Sequence, residues 1–229
     1  DLLYLIAECE HLDFLLLTKR PELWRERLTR ALTFADPNEE NPERWAWLDE
    51  WLCGTPPANV WVGITAEDQI HLDLRWRHLR AIPALVRFLS VEPMLGRIAL
   101  PSCALGEVCQ CDDCVALGLS EGEKLHWVIA GGESGAKARP TNPAWFRSLR
   151  DQCQVAGVPF FFKQHGEWVG SLTLDGETAT GGDLDGSVVR GPRTPFYEWG
   201  GGVVSVRVGK KAAGRLLDGR EWSEVPRGQ

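Results

Sequence analysis

The chain has 229 residues, 44% of them hydrophobic, enough to bury one sizeable core. Its formal charge of -7 excludes a uniformly basic surface, so any contact with a polyanion needs a local basic patch. No apolar run reaches the ~18 residues of a membrane-spanning helix, no secretory leader is visible, and seven irregularly spaced cysteines fit reduced thiols of a cytoplasm better than a disulfide framework.

Residues 1–11 place Leu2, Leu5, Ile6 and Cys9 on one side of a helix. Met94 is the single methionine and the sequence opens inside this helix at Asp1, so it reads as a piece of a longer chain. A strand is expected over 13–18, ending in Thr18-Lys19-Arg20. Pro21 suits a first helical position, and Trp24, Leu28 and Leu32 form the stripe of an amphipathic helix. Asn41-Pro42 caps a further helix marked by Trp45, Leu48 and Leu52. The second strand spans 60–65, and Leu72, Trp76 and Leu79 stripe the helix after it. The third strand spans 86–91. Residues 101–124, acidic and bearing four cysteines, break the rhythm and are expected as an insertion outside the core.

Trp127 to Ala130 is a short apolar run, the mark of a strand buried on both faces, here over 127–132. The next helix starts at Asn142-Pro143, shows Trp145, Leu149, Cys153 and Ala156 on one face, and stops at Gly157. A fifth strand covers 159–163. Strict alternation of strand and helix argues for a parallel sheet, and the fold class is α/β: a partial (βα) barrel over residues 1–165. Residues 166–229 form a Gly-rich antiparallel extension packed on it, with strands near 168–174 and 203–208, a mobile loop over 175–202 and a short helix over 210–217.

Each parallel strand ends in polar residues where its helix begins, and in a βα barrel such ends converge on one face. Thr18, Lys19, Thr65, Glu67, Ser90, Glu92, Gly131, Gly132, Glu133, Ser134, Lys163 and Gln164 are therefore the expected lining of a cofactor site. Three Glu beside Lys and Arg suit a charged or zwitterionic small molecule. Glu92 could hold an amine or act as a base, or simply pair with Arg87 or Arg97. Thr18-Lys19-Arg20-Pro21 could hold an anion near a helix start, or be two solvated cations.

Cys103, Cys109, Cys111 and Cys114 are spaced C-x5-C-x-C-x2-C, and only the last pair has common zinc spacing. A structural zinc, free thiols and a disulfide all remain open. Cys9, Cys53 and Cys153 read as buried apolar side chains. The five histidines lack metal-like spacing, and Gly132-Glu133-Ser134-Gly135 lacks the helix start of a nucleophile elbow.

Six motifs occur in order: LLTKRP (16–21), NVWVGIT (59–65), RFLSVEP (87–93), WVIAGGESG (127–135), PFFFKQHGEW (159–168) and GKKAAGRLLDGR (209–220). Together they resemble a phage- and bacterium-encoded family of unknown function, the three-Cys-motif phage proteins, over most of the chain except 101–124 and 175–200. That family is similar to radical-SAM enzymes. The resemblance implies a partial βα barrel, S-adenosylmethionine at the strand ends and a [4Fe-4S] cluster held by a cysteine motif that would precede Asp1, with a nucleic acid or a protein as substrate. On that expectation these 229 residues alone do not cleave the cofactor. The alternative is a non-catalytic adaptor on a degenerate barrel, working with a partner protein.

Overall fold

In the computed structural model of the protein, residues 2–34, 45–107, 123–174, 177–180 and 195–226 are described, 171–174 and 177–180 by their backbone alone. The elements run α1 (Leu2–Glu8), β1 (Phe14–Thr18), α2 (Trp24–Phe34), α3 (Ala46–Leu52), β2 (Val60–Thr65), α4 (Gln69–Arg80), β3 (Val86–Val91), β4 (Trp127–Gly131), α5 (Pro143–Ala156) and β5 (Phe160–Gln164). Then come β6 (Trp168–Leu174), β7 (Glu177–Thr180), β8 (Phe196–Gly200), β9 (Val203–Arg207) and α6 (Lys210–Ala213). The first five strands form one sheet in the order β1-β2-β3-β4-β5, every neighbouring pair parallel. Sequential order is what successive βα units produce, because right-handed crossovers lay each helix on the same face. The expected α/β class, with a parallel sheet and an antiparallel extension, is the observed one.

The helices are set by local signals. Asp68 caps α4 by accepting from His71 N at 3.0 Å, and Asn142 caps α5 by accepting from Ala144 N at 2.9 Å. Gly157 ends α5 with φ of 65°, a conformation that favours glycine. One face of the sheet packs Val62, Ile64, Leu89, Val128, Phe160 and Phe162 against helical Leu48, Leu72, Leu79, Phe146 and Leu149 in a single core.

The opposite face has a second layer. Trp61, Phe88 and Phe161 each bring a ring to 6.0–6.1 Å from that of Trp127. Gly63 has no side chain because a Cβ there would strike the Phe88 ring. Side chains on one face recur every second residue. The positions following this aromatic layer on the same face are therefore Thr65, Ser90, Gly131 and Lys163, with Glu92 two beyond Ser90. An apolar layer fills the lower half of this face and polar groups occupy the upper half.

The second sheet is antiparallel, in the order β7-β6-β9-β8. It packs on the start of α5: Trp199 meets Trp145 at 4.9 Å, and Ser205 Oγ donates to Thr141 O at 2.7 Å. Some expectations are corrected. Residues 177–180 and 196–200 are strands rather than loop, and 181–194 lie outside the described residues. The last helix stops at Ala213, because Gly214 at φ of 66° turns the chain. The start of the 101–124 stretch is not outside the core: Cys103 and Ala104 are buried in it. Cys53 is exposed, whereas Cys153 is buried as expected.

Candidate functional site

The C-terminal ends of the parallel strands enclose a cleft of about 360 Å³ lined by Leu17, Thr65, Ser90, Glu92, Pro93, Gly132, Glu133, Ser134, Lys163 and Gln164. Eight of the expected residues thus meet in one place. A larger hollow of about 590 Å³ lies against the outer side of α5, around Arg147, Asp151 and Val155. It gathers no strand-end group, so the chemistry favours the smaller one.

Within the cleft, Lys163 Nζ reaches Glu92 Oε2 at 3.3 Å. Glu92 therefore pairs with neither Arg87 nor Arg97. Arg87 is buried and donates to the carbonyls of Ile82 and Ala84. The Glu92–Lys163 pair is open on both sides, for each partner retains unused hydrogen-bonding capacity. Gln164 Nε2 donates to Ser134 Oγ at 2.9 Å. Ser90 is nearly fully buried, and its carbonyl accepts from Ala66 N at 2.9 Å. The two glycines serve different contacts. A Cβ on Gly131 would stand 2.6 Å from Glu92 Oε1, and one on Gly132 would collide with the carbonyl of His165.

Glu133 lines the cleft with its carboxylate already paired. Arg139 grips it with Nε and Nη2, each at 2.8 Å, and its backbone N donates to the same carboxylate. That bidentate clasp holds the Glu133 carboxyl below its usual range against the opposing effect of burial. The loop carrying it is pinned by the antiparallel extension, since Arg207 Nη2 donates to the carbonyls of Gly135 and Ala136.

Thr18, Lys19, Glu67 and Gly131 stand outside the lining. Thr18 Oγ1 accepts from Arg20 N in a local turn. Lys19 is exposed yet paired: its Nζ lies 2.6 Å from Glu67 Oε1, while Arg75 Nη1 meets Glu67 Oε2 at 3.0 Å and Thr65 Oγ1 at 3.1 Å. Burial disfavours the Glu67 charge, but Lys19, a backbone amide and Arg75 outweigh it and bring the carboxyl down to about 2. At neutral pH Glu67 is an anion that joins β1, β2 and α4, its two oxygens held by Lys19 and Arg75. Arg75, absent from the expected set, lies two turns after Glu67 on the face of α4 that returns to the sheet. That spacing was the signal for it.

The donor set of the described residues does not suit an iron–sulfur cluster. Among the described residues no three His, Cys, Asp or Glu converge in a metal-holding group. Cys153 is buried, which pushes its thiol up to about 12, far from a thiolate ligand. Cys103 Sγ accepts from Trp76 Nε1 at 3.4 Å inside the core, and Cys109, Cys111 and Cys114 lie outside the described residues. No helix among the described residues is long and apolar enough to cross a membrane.

Comparison with curated proteins and with solved structures gave no match. A family model described as "Protein of unknown function (DUF5131)" matches residues 1–226, and the chain belongs to that uncharacterised family.

Proposed function

We propose that the strand-end cleft binds a small molecule bearing both an amino and a carboxylate group. The cofactor that the family resemblance implies is S-adenosylmethionine, within a radical-SAM-like enzyme acting on a nucleic acid or a protein. The observation that carries this reading is the Glu92–Lys163 pair in the cleft wall. A zwitterion can insert between them, its ammonium on Glu92 and its carboxylate on Lys163. It thereby replaces one ion pair by two charge-assisted contacts. Thr65 and Ser134 supply hydroxyls for the remaining polar groups, and Leu17 and Pro93 give apolar surface to a ring. S-adenosylmethionine supplies reductive cleavage chemistry when an iron–sulfur cluster serves it. The described residues provide no ligands for such a cluster, so the chain's own groups bind and orient and no reaction step is assigned to them.

Titration calorimetry with S-adenosylmethionine tests the reading. Saturable binding is expected for the native chain and about tenfold weaker binding for Lys163→Gln, equivalent to ~1.4 kcal/mol. No heat at millimolar ligand, or equal affinities, sinks it.

A non-catalytic adaptor is the second reading, and one observation favours it. Two of the three strand-end carboxylates, Glu67 and Glu133, are already satisfied by Lys19, Arg75 and Arg139. A site built for acid–base work would leave more of them open. Normal partner capture by a Lys163→Gln variant that no longer binds the small molecule would select this reading.

A further inference from the structure

Three ion pairs around the cleft share an orientation, the carboxylate turned inward and the cation outward: Glu67, Glu92 and Glu133 side chains are 10%, 20% and 24% exposed, while Lys19, Lys163 and Arg139 are 63%, 56% and 58% exposed. Arg75, the second partner of Glu67, is 15% exposed and lies inside with it. Glu92 and Glu133 line the cleft, Glu67 lies outside its lining, and the exposed cations form the rim. Further cations stand on the same rim. Arg20 follows β1 directly and Lys137 sits in the loop after β4, both exposed. Helix α6 brings exposed Lys210 and Lys211 to the end of β5, where Gly214 O accepts from His165 N and Gly209 N donates to Glu167 O. Among the described residues, no carboxylate comes within ion-pair distance of Arg20, Lys137, Lys210 or Lys211. Glu22 is an exposed acid that opposes them locally.

We propose that this cationic rim is a nucleic-acid-binding surface that lays a phosphate backbone across the mouth of the cleft. A chain of formal charge -7 has no general attraction for polyanions, so a group of exposed cations at this end makes the contact local and oriented. Flexible lysines together with arginine are the groups that neutralise phosphates and release counterions. The carboxylates lining the cleft beneath them keep the backbone at the rim and leave the cleft to the small molecule. The assignment names the substrate class for the cleft and rests on that reading for its purpose. The two can fail separately, because nucleic acid binding is measured without the small molecule.

The test is fluorescence anisotropy with labelled single-stranded DNA and RNA oligonucleotides over a salt series. The variant combines Arg20→Gln, Lys137→Gln, Lys210→Gln and Lys211→Gln, with Arg27→Gln and Arg77→Gln, on the outer helices, as the control. The native chain should bind with an affinity falling steeply with salt. The rim variant should bind at least tenfold more weakly, with its log–log salt slope reduced by about 0.7 for each cation that meets a phosphate. The control should match the native chain, and all three should melt alike. Equal weakening in the control, unchanged affinity in the rim variant, or no binding by the native chain at low salt overturns the proposal. So does binding of a polyglutamate peptide in place of the oligonucleotides, which would indicate an acidic protein partner.

Discussion

Lys163 Nζ lies 3.3 Å from Glu92 Oε2, joining the end of β5 to the end of β3 across the intervening β4. The strand between them makes room by carrying glycine. An added Cβ at Gly131 would stand 2.6 Å from Glu92 Oε1, a movable side-chain tip, whereas one at Gly132 would run into the backbone carbonyl of His165. The two neighbouring glycines should therefore respond differently. Gly131→Ala displaces Glu92, so it should cut small-molecule affinity tenfold or more with a melting shift of only a few degrees. Gly132→Ala forces backbone apart and should cost ~1–3 kcal/mol or more. Thermal melting and calorimetry on both variants check this, and similar melting shifts would refute the distinction.

The carboxylates also separate. Glu92→Gln removes the acceptor charge from the cleft and should weaken binding of an ammonium-bearing ligand about tenfold or more, since a charge-assisted hydrogen bond is worth roughly 1.5–3 kcal/mol. Glu133→Gln breaks the clasp on Arg139 instead. It should loosen the loop at 134–139, visible as faster amide exchange there, and affect binding less. Calorimetry paired with hydrogen exchange distinguishes them; a stronger binding defect in Glu133→Gln would reverse the assignment.

Much of this was legible before the structure. The five parallel strands announce themselves as short apolar runs ending in polar groups, and all five keep their expected bounds within a residue at each end. The convergence of Thr65, Ser90, Glu92, Glu133 and Lys163 follows from topology alone, because parallel strands place like ends together. What sequence could not settle is which charges neutralise which. Whether Glu92 meets Arg87, Arg97 or Lys163 depends on neighbours set by the sheet, not on separation along the chain. Nor does the aromatic layer of Trp61, Phe88, Trp127 and Phe161 show in any single strand. It arises from register across four of them.

Acid should probe Glu67. Its carboxyl is held at about 2 in the folded chain, against an ordinary 4.5, so the folded state binds that proton less readily than the unfolded chain. The stability contributed by this ion cluster is complete above pH ~5 and is lost as pH falls through 4.5 toward 2. Thermal melts from pH 7 to pH 2 should show Glu67→Gln well below the native chain at neutral pH and the gap closing on the acid limb. A constant gap across that range would mean that the Lys19 and Arg75 contacts contribute nothing through charge.

The C-terminal segment seals the open side of β5. Trp222 O accepts from Phe162 N at 2.9 Å, Glu224 N donates to Phe160 O at 3.2 Å, and Phe161 and Ser223 form an antiparallel bridge. Trp222 anchors the segment: its ring stands 6.2 Å from Phe160, Arg220 covers it at 4.0 Å, and its Nε1 donates to Leu217 O. From beyond it, Glu224 O accepts from Trp127 Nε1 at 2.8 Å, tying the seal to the aromatic layer under the cleft. Trp222→Ala removes a nearly buried ring and should cost ~3–5 kcal/mol, a melting shift on the order of 10 °C for a chain of this size. The amides of Phe160 and Phe162 lie on the exposed strand edge that results and should lose exchange protection, whereas those of β2 keep theirs. Trp222→Phe should recover most of the loss, because packing on Phe160 survives and only the hydrogen bond to Leu217 goes. Unchanged melting in the alanine variant, or uniform loss of protection across the sheet, would show that β5 does not depend on this segment for its edge.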